Sequence, residues 1–270
     1  MPIAILPAAL AIGSGVLVGL VLGLVGGGGS ILAVPLLVYV VGVSSPHVAI
    51  GTAAFVVALN AAVSLGAHAR LGTVKWRCAL VFAAAGVVGS LLGAALGKAV
   101  DGQRLLALFG LIMIAVGLSM LRPPGAPADE AVRLTKESAS HLLPRLIGMG
   151  FGVGALAGFF GIGGGFLIVP GLMLATGMGL ASAIGTSLVA ITAFGLATAA
   201  SYAASGLVDW SLAALVVVGG VVGSIAGSRL NALLASNRNL LNRIFGIGVI
   251  AVGVTIVARG LPYLISAVTQ

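Results

Sequence analysis

Charge is what this chain has least of. Only 7% of its 270 residues are Asp, Glu, Lys or Arg, against 60% hydrophobic, and the mean hydropathy is +1.26. A soluble domain carries about 25% charged residues, so a water-covered globular surface is excluded and lipid is the solvent that fits. Acid is scarcer still. Asp101, Asp129, Glu130, Glu137 and Asp209 are its only carboxylates, and none falls inside an apolar run. Proton relays in pumps rely on intramembrane acids, so coupling through a buried carboxylate is disfavoured. The single cysteine, Cys78, rules out an internal disulfide and a cysteine-rich metal site; a small apolar residue in a helix is the role it suits. Walker motifs, metal-binding clusters and nucleophile–base sets are also missing, which argues against ATP hydrolysis and catalysis. No cofactor and no metal is expected, and the chain does not read as an enzyme.

Barrel strands would alternate polar and apolar residues. Here the apolar runs are continuous for about 20 residues, the length of a membrane helix, so the fold class is an all-α polytopic membrane protein. The net charge of +8 would suit nucleic acid, but the basic residues sit in short loops, where they set topology. The partners expected are a lipid bilayer and a small-molecule substrate, not nucleic acid; a homo-oligomer is compatible with all of this. The N-terminus, MPIAILPAAL, lacks the basic stretch of a secretory signal, and the first segment is expected to stay as a helix.

Glycine is what the chain has instead of charge. The first apolar block, Ile3 to Gly42, is cut at Gly26–Gly29. Unbroken, it would reach about 60 Å, twice the hydrocarbon core, so it must fold back there, leaving a full-length helix and a short one from Ser30 to Gly42. Ser44-Ser45-Pro46 is a cap and first-turn proline for a helix to about His68. Arg70, Lys75 and Arg77 form a basic loop, with Trp76 an interfacial anchor. The next helix carries Gly86, Gly89, Gly93 and Gly97 on one side, small residues that permit close packing in lipid. Residues 1–121 make a first transmembrane unit, residues 122–144 a polar linker with three of the five acids, and residues 145–270 a second unit.

The second unit repeats the first. GIGGGFLIVP (Gly161 to Pro170) matches GGGGSILAVP (Gly26 to Pro35), and Ala183-Ile-Gly-Thr186 matches Ala49-Ile-Gly-Thr52. Gly206 and Trp210 match Gly72 and Trp76; Gly220, Gly223 and Gly227 match Gly86, Gly89 and Gly93. The offset stays between 134 and 136 residues, the mark of a duplicated unit. Eight to ten membrane segments follow, two of them short and broken by glycine. If the short ones cross, each half has five crossings and the halves are inverted. Ten basic residues then lie on one side, and only Lys98, Arg104 and Arg259 on the other. Without those crossings the split is eight to five, so the positive-inside rule favours inverted repeats with both termini outside. The loop Arg70–Arg77 has three basic residues, and its copy before Trp210 carries Asp209 instead.

Inverted repeats are a transporter design that puts the site near mid-membrane, at broken helices. Each glycine turn opens a helix, so free N–H groups and a positive dipole end point at whatever lies there, and glycine lets an anion reach the backbone. The candidate substrate-binding residues are therefore Gly26, Gly28, Gly29 and Ser30 in the first copy and Gly161, Gly163, Gly164 and Gly165 in the second. Thr52, Thr186 and Ser187 in the repeated AIGT region and Asn60, the amide well inside a helix, complete the set. Glycines can equally serve tight turns alone, Thr can bond its own backbone, and Asn60 can join helices. His47 and His68 lie near helix ends and read as solvated.

The paired glycine–proline stretches, the repeated AIGT and the two similar halves resemble the sulfite exporter TauE/SafE family of bacterial inner-membrane permeases. The resemblance runs from about Ile12 to Arg259, outside the linker. It implies export or uptake of a small sulfur-containing or organic anion such as sulfite or a sulfonate, on a scaffold usually described with about eight helices. A secondary permease working by alternating access is the leading expectation. A passive anion channel on the same scaffold and a non-transporting membrane assembly protein are the alternatives.

Overall fold

The computed structural model describes residues 5–121, 138–161, 163, 165–233 and 238–265. They form helices throughout, with no β-strand among the described residues. The long helices are α1 (Ile5–Val25), α3 (Pro46–Arg70), α4 (Trp76–Ala99), α5 (Gly102–Leu121), α6 (Ala139–Phe160), α8 (Leu180–Ala203), α9 (Trp210–Leu233) and α10 (Arg238–Ile265). Eight helices are long and apolar enough to cross a membrane. Between α1 and α3 lies a short broken segment: a 3₁₀ stretch Gly26–Leu32, one α-turn α2 (Ala33–Pro35) and a π-turn Leu36–Val40. Between α6 and α8 lies the short helix α7 (Gly165–Thr176). Most of the expected linker lies outside the described residues; its end, 139–144, is already helical as the start of α6.

Local chemistry sets the helix ends. Ser45 Oγ accepts the Val48 N–H at 3.5 Å, and Pro46, with no N–H of its own, opens α3. Two of the scarce carboxylates are caps: Asp101 Oδ1 accepts from the N–H groups of Gln103 and Arg104 at 3.1 Å, and Asp209 Oδ1 from Leu212 at 2.9 Å. Large apolar side chains such as Leu80, Leu96, Val218, Val222 and Ile247 stay exposed on the outside of the bundle, where lipid tails would cover them.

Glycines decide which helices meet. A Cβ on Gly15, Gly19 or Gly23 of α1 would strike the backbone of α9 at Val216, Gly220 or Ser224. In the same way Gly89, Gly93 and Gly97 of α4 press on Phe151, Ala155 and Phe159 of α6. In lipid, helices associate by close packing rather than by hydrophobic exclusion, so these glycine seams hold the bundle together. Both seams are parallel, since rising numbers meet rising numbers. By contrast α3 and α8 run antiparallel, with Gly51 on Tyr202 and Gly195 on Ala54 and Ala58. So do α5 and α10, with Gly110 on Gly253 and Gly117 on Gly246. Helices that correspond in the sequence repeat thus pair head to tail, the arrangement inverted halves would give.

The short segments carry the chain back across the bundle. α1 and α3 both run parallel to α9: Gly15 to Gly23 step along Val216 to Ser224, while Thr52 meets Asp209 and Asn60 meets Gly220. Residues between α1 and α3 must therefore return the full distance. The same holds for α6 and α8, both parallel to α4. One end of the bundle then carries Arg70, Lys75, Arg77, Arg145, Arg229 and Arg243. The other carries Lys98, Arg104 and Arg259, with Lys98 Nζ on Ser201 and Ser205, and Arg259 over the Tyr39 ring at 5.1 Å. By the positive-inside rule the basic end would face the cytoplasm. Trp210 and Trp76, 56% and 49% exposed, mark the two opposite ends.

The repeated AIGT threonines tie the halves together. Thr52 Oγ1 accepts the Asp209 N–H at 3.0 Å, and Thr186 Oγ1 accepts the Lys75 N–H at 3.0 Å. Each threonine thus holds the loop that leads into a helix of the other half. T52V and T186V keep the shape and remove the acceptor, and each should cost about 0.5–1.5 kcal/mol for the hydrogen bond lost. The two sites are at opposite ends, so the losses should add. Thermal melting of the purified protein checks this, and unchanged midpoints would show that neither bond matters. Reporter fusions should place the Gly206–Asp209 loop outside and the Arg70–Arg77 loop in the cytoplasm; the reverse would overturn the orientation.

Candidate functional site

The second glycine turn is built where α6 stops. Gly161 takes φ +64°, a left-handed C-cap, and its N–H reaches the Gly158 carbonyl at 3.2 Å. Gly163 also takes φ +64°. A Cβ on Gly161 would run into Ile50, and one on Gly163 would lie 3.0 Å from Val57 and 3.7 Å from Ile191. Glycine is thus required twice over, by conformation and by space. Val57 and Ile191 sit at the middle of α3 and α8, so the turn reaches mid-bundle before α7 begins at Gly165. Its first N–H groups and positive dipole end therefore arise deep in the bundle. Gly164 lies outside the described residues.

The first turn is different. The expected short helix is present over Gly29–Val40, with a 3₁₀ backbone from Gly26 to Leu32 and a π-turn after Pro35. Four successive glycines offer no side chain to favour the α form, and the proline has no N–H and crowds the carbonyl four residues back. Gly29 packs on the backbone of α1 at Leu22, and Ser30 is wholly buried. This 3₁₀ stretch, with Gly26 and Gly28 in it, packs against both α7 and α8. The first glycine segment is thus a neighbour of α7, the helix that follows the second.

The surroundings are apolar: Ile31, Val34, Ile50, Val57, Phe166 and Ile191 are all buried. Of the expected polar side chains, Thr52 and Thr186 sit apart, one near each end of the bundle, holding the loops described above. Ser187 Oγ donates to its own helix, to the Ile184 carbonyl at 2.8 Å. Asn60 differs from these. It is fully buried against Gly220, and both its amide oxygen and its amide nitrogen lack a hydrogen-bond partner. One turn on along the same parallel pair, Ser64 and Ser224 are buried with unpartnered hydroxyls. The sequence pattern pointed to Asn60 but to neither serine, because serine in a glycine-rich helix signals packing first.

Cys78 is buried in α4. Among the described residues, no group of three His, Cys, Asp or Glu could hold a metal ion. His47, read from sequence as solvated, has its Nδ1 buried and unpartnered instead, and His68 Nδ1 lies 3.2 Å from Thr73 Oγ1. What the second turn offers a ligand is donor groups of the backbone, in an apolar setting without a described carboxylate.

Comparison with known proteins agrees with this architecture. A family model described as "Sulfite exporter TauE/SafE" matches residues 11–256. A "Probable membrane transporter protein" of Xylella fastidiosa (strain Temecula1) is 49% identical over 260 residues, covering 94% of this chain and 97% of the relative. The "Probable membrane transporter protein YunE" of Bacillus subtilis is 30% identical over 264 residues, covering 92% and 96%. A second Bacillus subtilis protein, "Probable membrane transporter protein YdhB", is 26% identical over 224 residues, covering 81% and 88%. No solved structure matches. The eight long helices fit the scaffold usually described for such permeases, with the two short returning segments in addition. A multi-pass helical chain matched along nearly its whole length by this family belongs to it: the protein is a membrane transporter of the sulfite exporter TauE/SafE family.

Proposed function

We propose that this transporter is a secondary permease of a bacterial-type inner membrane, moving a small anion such as sulfite, a sulfonate or a related organic anion. The observation that carries the reading is the left-handed turn at Gly163, which starts α7 between the midpoints of α3 and α8. An anion there would meet backbone N–H groups and the positive end of a helix in a low-dielectric setting. A cation would meet the wrong end of that dipole, with no described carboxylate to offset it. Asn60 adds an N–H donor that has no other partner. The antiparallel pairing of α3 with α8 and of α5 with α10 supports inverted halves rocking about this centre, which is how alternating access is commonly built. The names of the family and its relatives, sulfite exporter and membrane transporter, point the same way.

In proteoliposomes the wild type should take up sulfite or methanesulfonate with saturable, counter-transport-stimulated flux. G163V should lower that flux at least ~10-fold, and N60L should lower it by the ~1.5–3 kcal/mol worth of a hydrogen bond to a charged group. N60L should still insert and elute as the wild type does, whereas G163V should also melt lower, because its φ is left-handed and its Cβ meets Val57. Unimpaired flux in both would show that the anion binds elsewhere, and unitary conductance in the wild type would identify a channel.

A further inference from the structure

We propose that the non-cytoplasmic end of the bundle holds a second anion site, formed by Lys98, His47 and Tyr202, which docks a small oxyanion outside the central turns. Lys98, in the last turn of α4, reaches across to α8. Its Nζ donates to the Ser201 carbonyl and to Ser205 Oγ, each at 2.9 Å, and lies 5.7 Å from the centroid of the Tyr202 ring. All these partners are neutral, so among the described residues no carboxylate balances the charge. Tyr202 is fully buried, and its hydroxyl has no hydrogen-bond partner. Its ring packs on Gly51 of α3 and lies 6.4 Å from the ring of His47, whose buried Nδ1 also lacks a partner.

Capping the carbonyl end of α8 would account for Lys98 alone. It leaves the tyrosine hydroxyl and the imidazole nitrogen unexplained, and buried polar atoms without partners are rare enough to need a reason. The phenol donates, the ammonium donates, and the imidazole donates when Nδ1 carries its proton. A ligand for this set must be rich in acceptors and negatively charged, and charge-assisted bonds of this kind are the strong ones. His47 sits in the first turn of α3, whose positive dipole end favours an anion, while Lys98 offsets the negative ends of α4 and α8.

The set is also one-sided. At the repeat offset of 134 residues, Lys98, His47 and Tyr202 correspond to Ala232, Ala181 and His68. The duplicated scaffold therefore does not impose this cluster; it distinguishes the two ends of the pathway. Its role as a docking point for cargo rests on the anion-transport reading, although its binding chemistry does not.

The test is calorimetric titration of the purified protein with sodium sulfite under anaerobic conditions and, separately, with sodium methanesulfonate. K98Q and Y202F should each weaken binding about tenfold, while K98R keeps the charge and binds nearly as the wild type does. Y202F leaves the ring packed on Gly51 and so separates lost binding from lost folding. In oriented vesicles, K98Q should raise the half-saturating concentration about tenfold from the non-cytoplasmic face and leave it unchanged from the other. Wild-type affinity in both K98Q and Y202F, with normal flux, would overturn the site and leave the transport reading standing. Lys98-dependent binding without any flux in the wild type would sustain the site and remove the transport reading. A wild type that binds neither anion would overturn the site.

Discussion

The bundle depends on backbone brought against backbone where glycine replaces a side chain. α1 lies on α9 and α4 on α6 so closely that a Cβ at Gly19 or Gly93 would fall on a carbonyl of the facing helix. Lipid supplies no hydrophobic drive for helix association, so these contacts must come from packing and from weak polar interaction across the crossing. Both seams join different halves of the sequence. The units read from the repeat are therefore interlaced, with each half lending its first helix to the other.

That interlacing positions everything else. Once α1 is fixed on α9 and α6 on α4, the short segments must return through the interior, and they bring non-α backbone with them. Irregular backbone is tolerated in a membrane protein only where other protein or a polar cavity covers it. Here α7, α8 and the wall of α3 cover it. Thr52 and Thr186 then fasten the loop of one half to a helix of the other, so a motion of the halves would be transmitted to those loops directly.

Much of this was legible from the sequence because it is written in one dimension. Run length gave the spans, and the two glycine clusters marked where the short apolar helices begin. What stayed hidden depends on partners far away in the chain. Nothing local says that Thr52 will meet Asp209, that Asn60 will lie on Gly220 unpaired, or that His47 will be covered by Tyr202. The first short helix was legible as a helix, Gly29–Val40, but its passage from 3₁₀ through one α-turn to a π-turn was not, since four glycines and Pro35 tip a balance that neither residue type decides alone.

The exchange of first helices between halves also sets the order in which the protein can be assembled. α1 leaves the ribosome long before α9 exists, since Val25 and Trp210 are separated by most of the chain. At roughly 5–20 residues per second, α1 waits on the order of 10–40 s for its glycine seam to find a partner. During that time its Gly15–Gly19–Gly23 stripe lies open to lipid, or to any other helix with small residues that passes. Biogenesis of this transporter therefore has a vulnerable interval before the second half arrives, when an insertion factor or chaperone that shields a small-residue stripe would have the most effect.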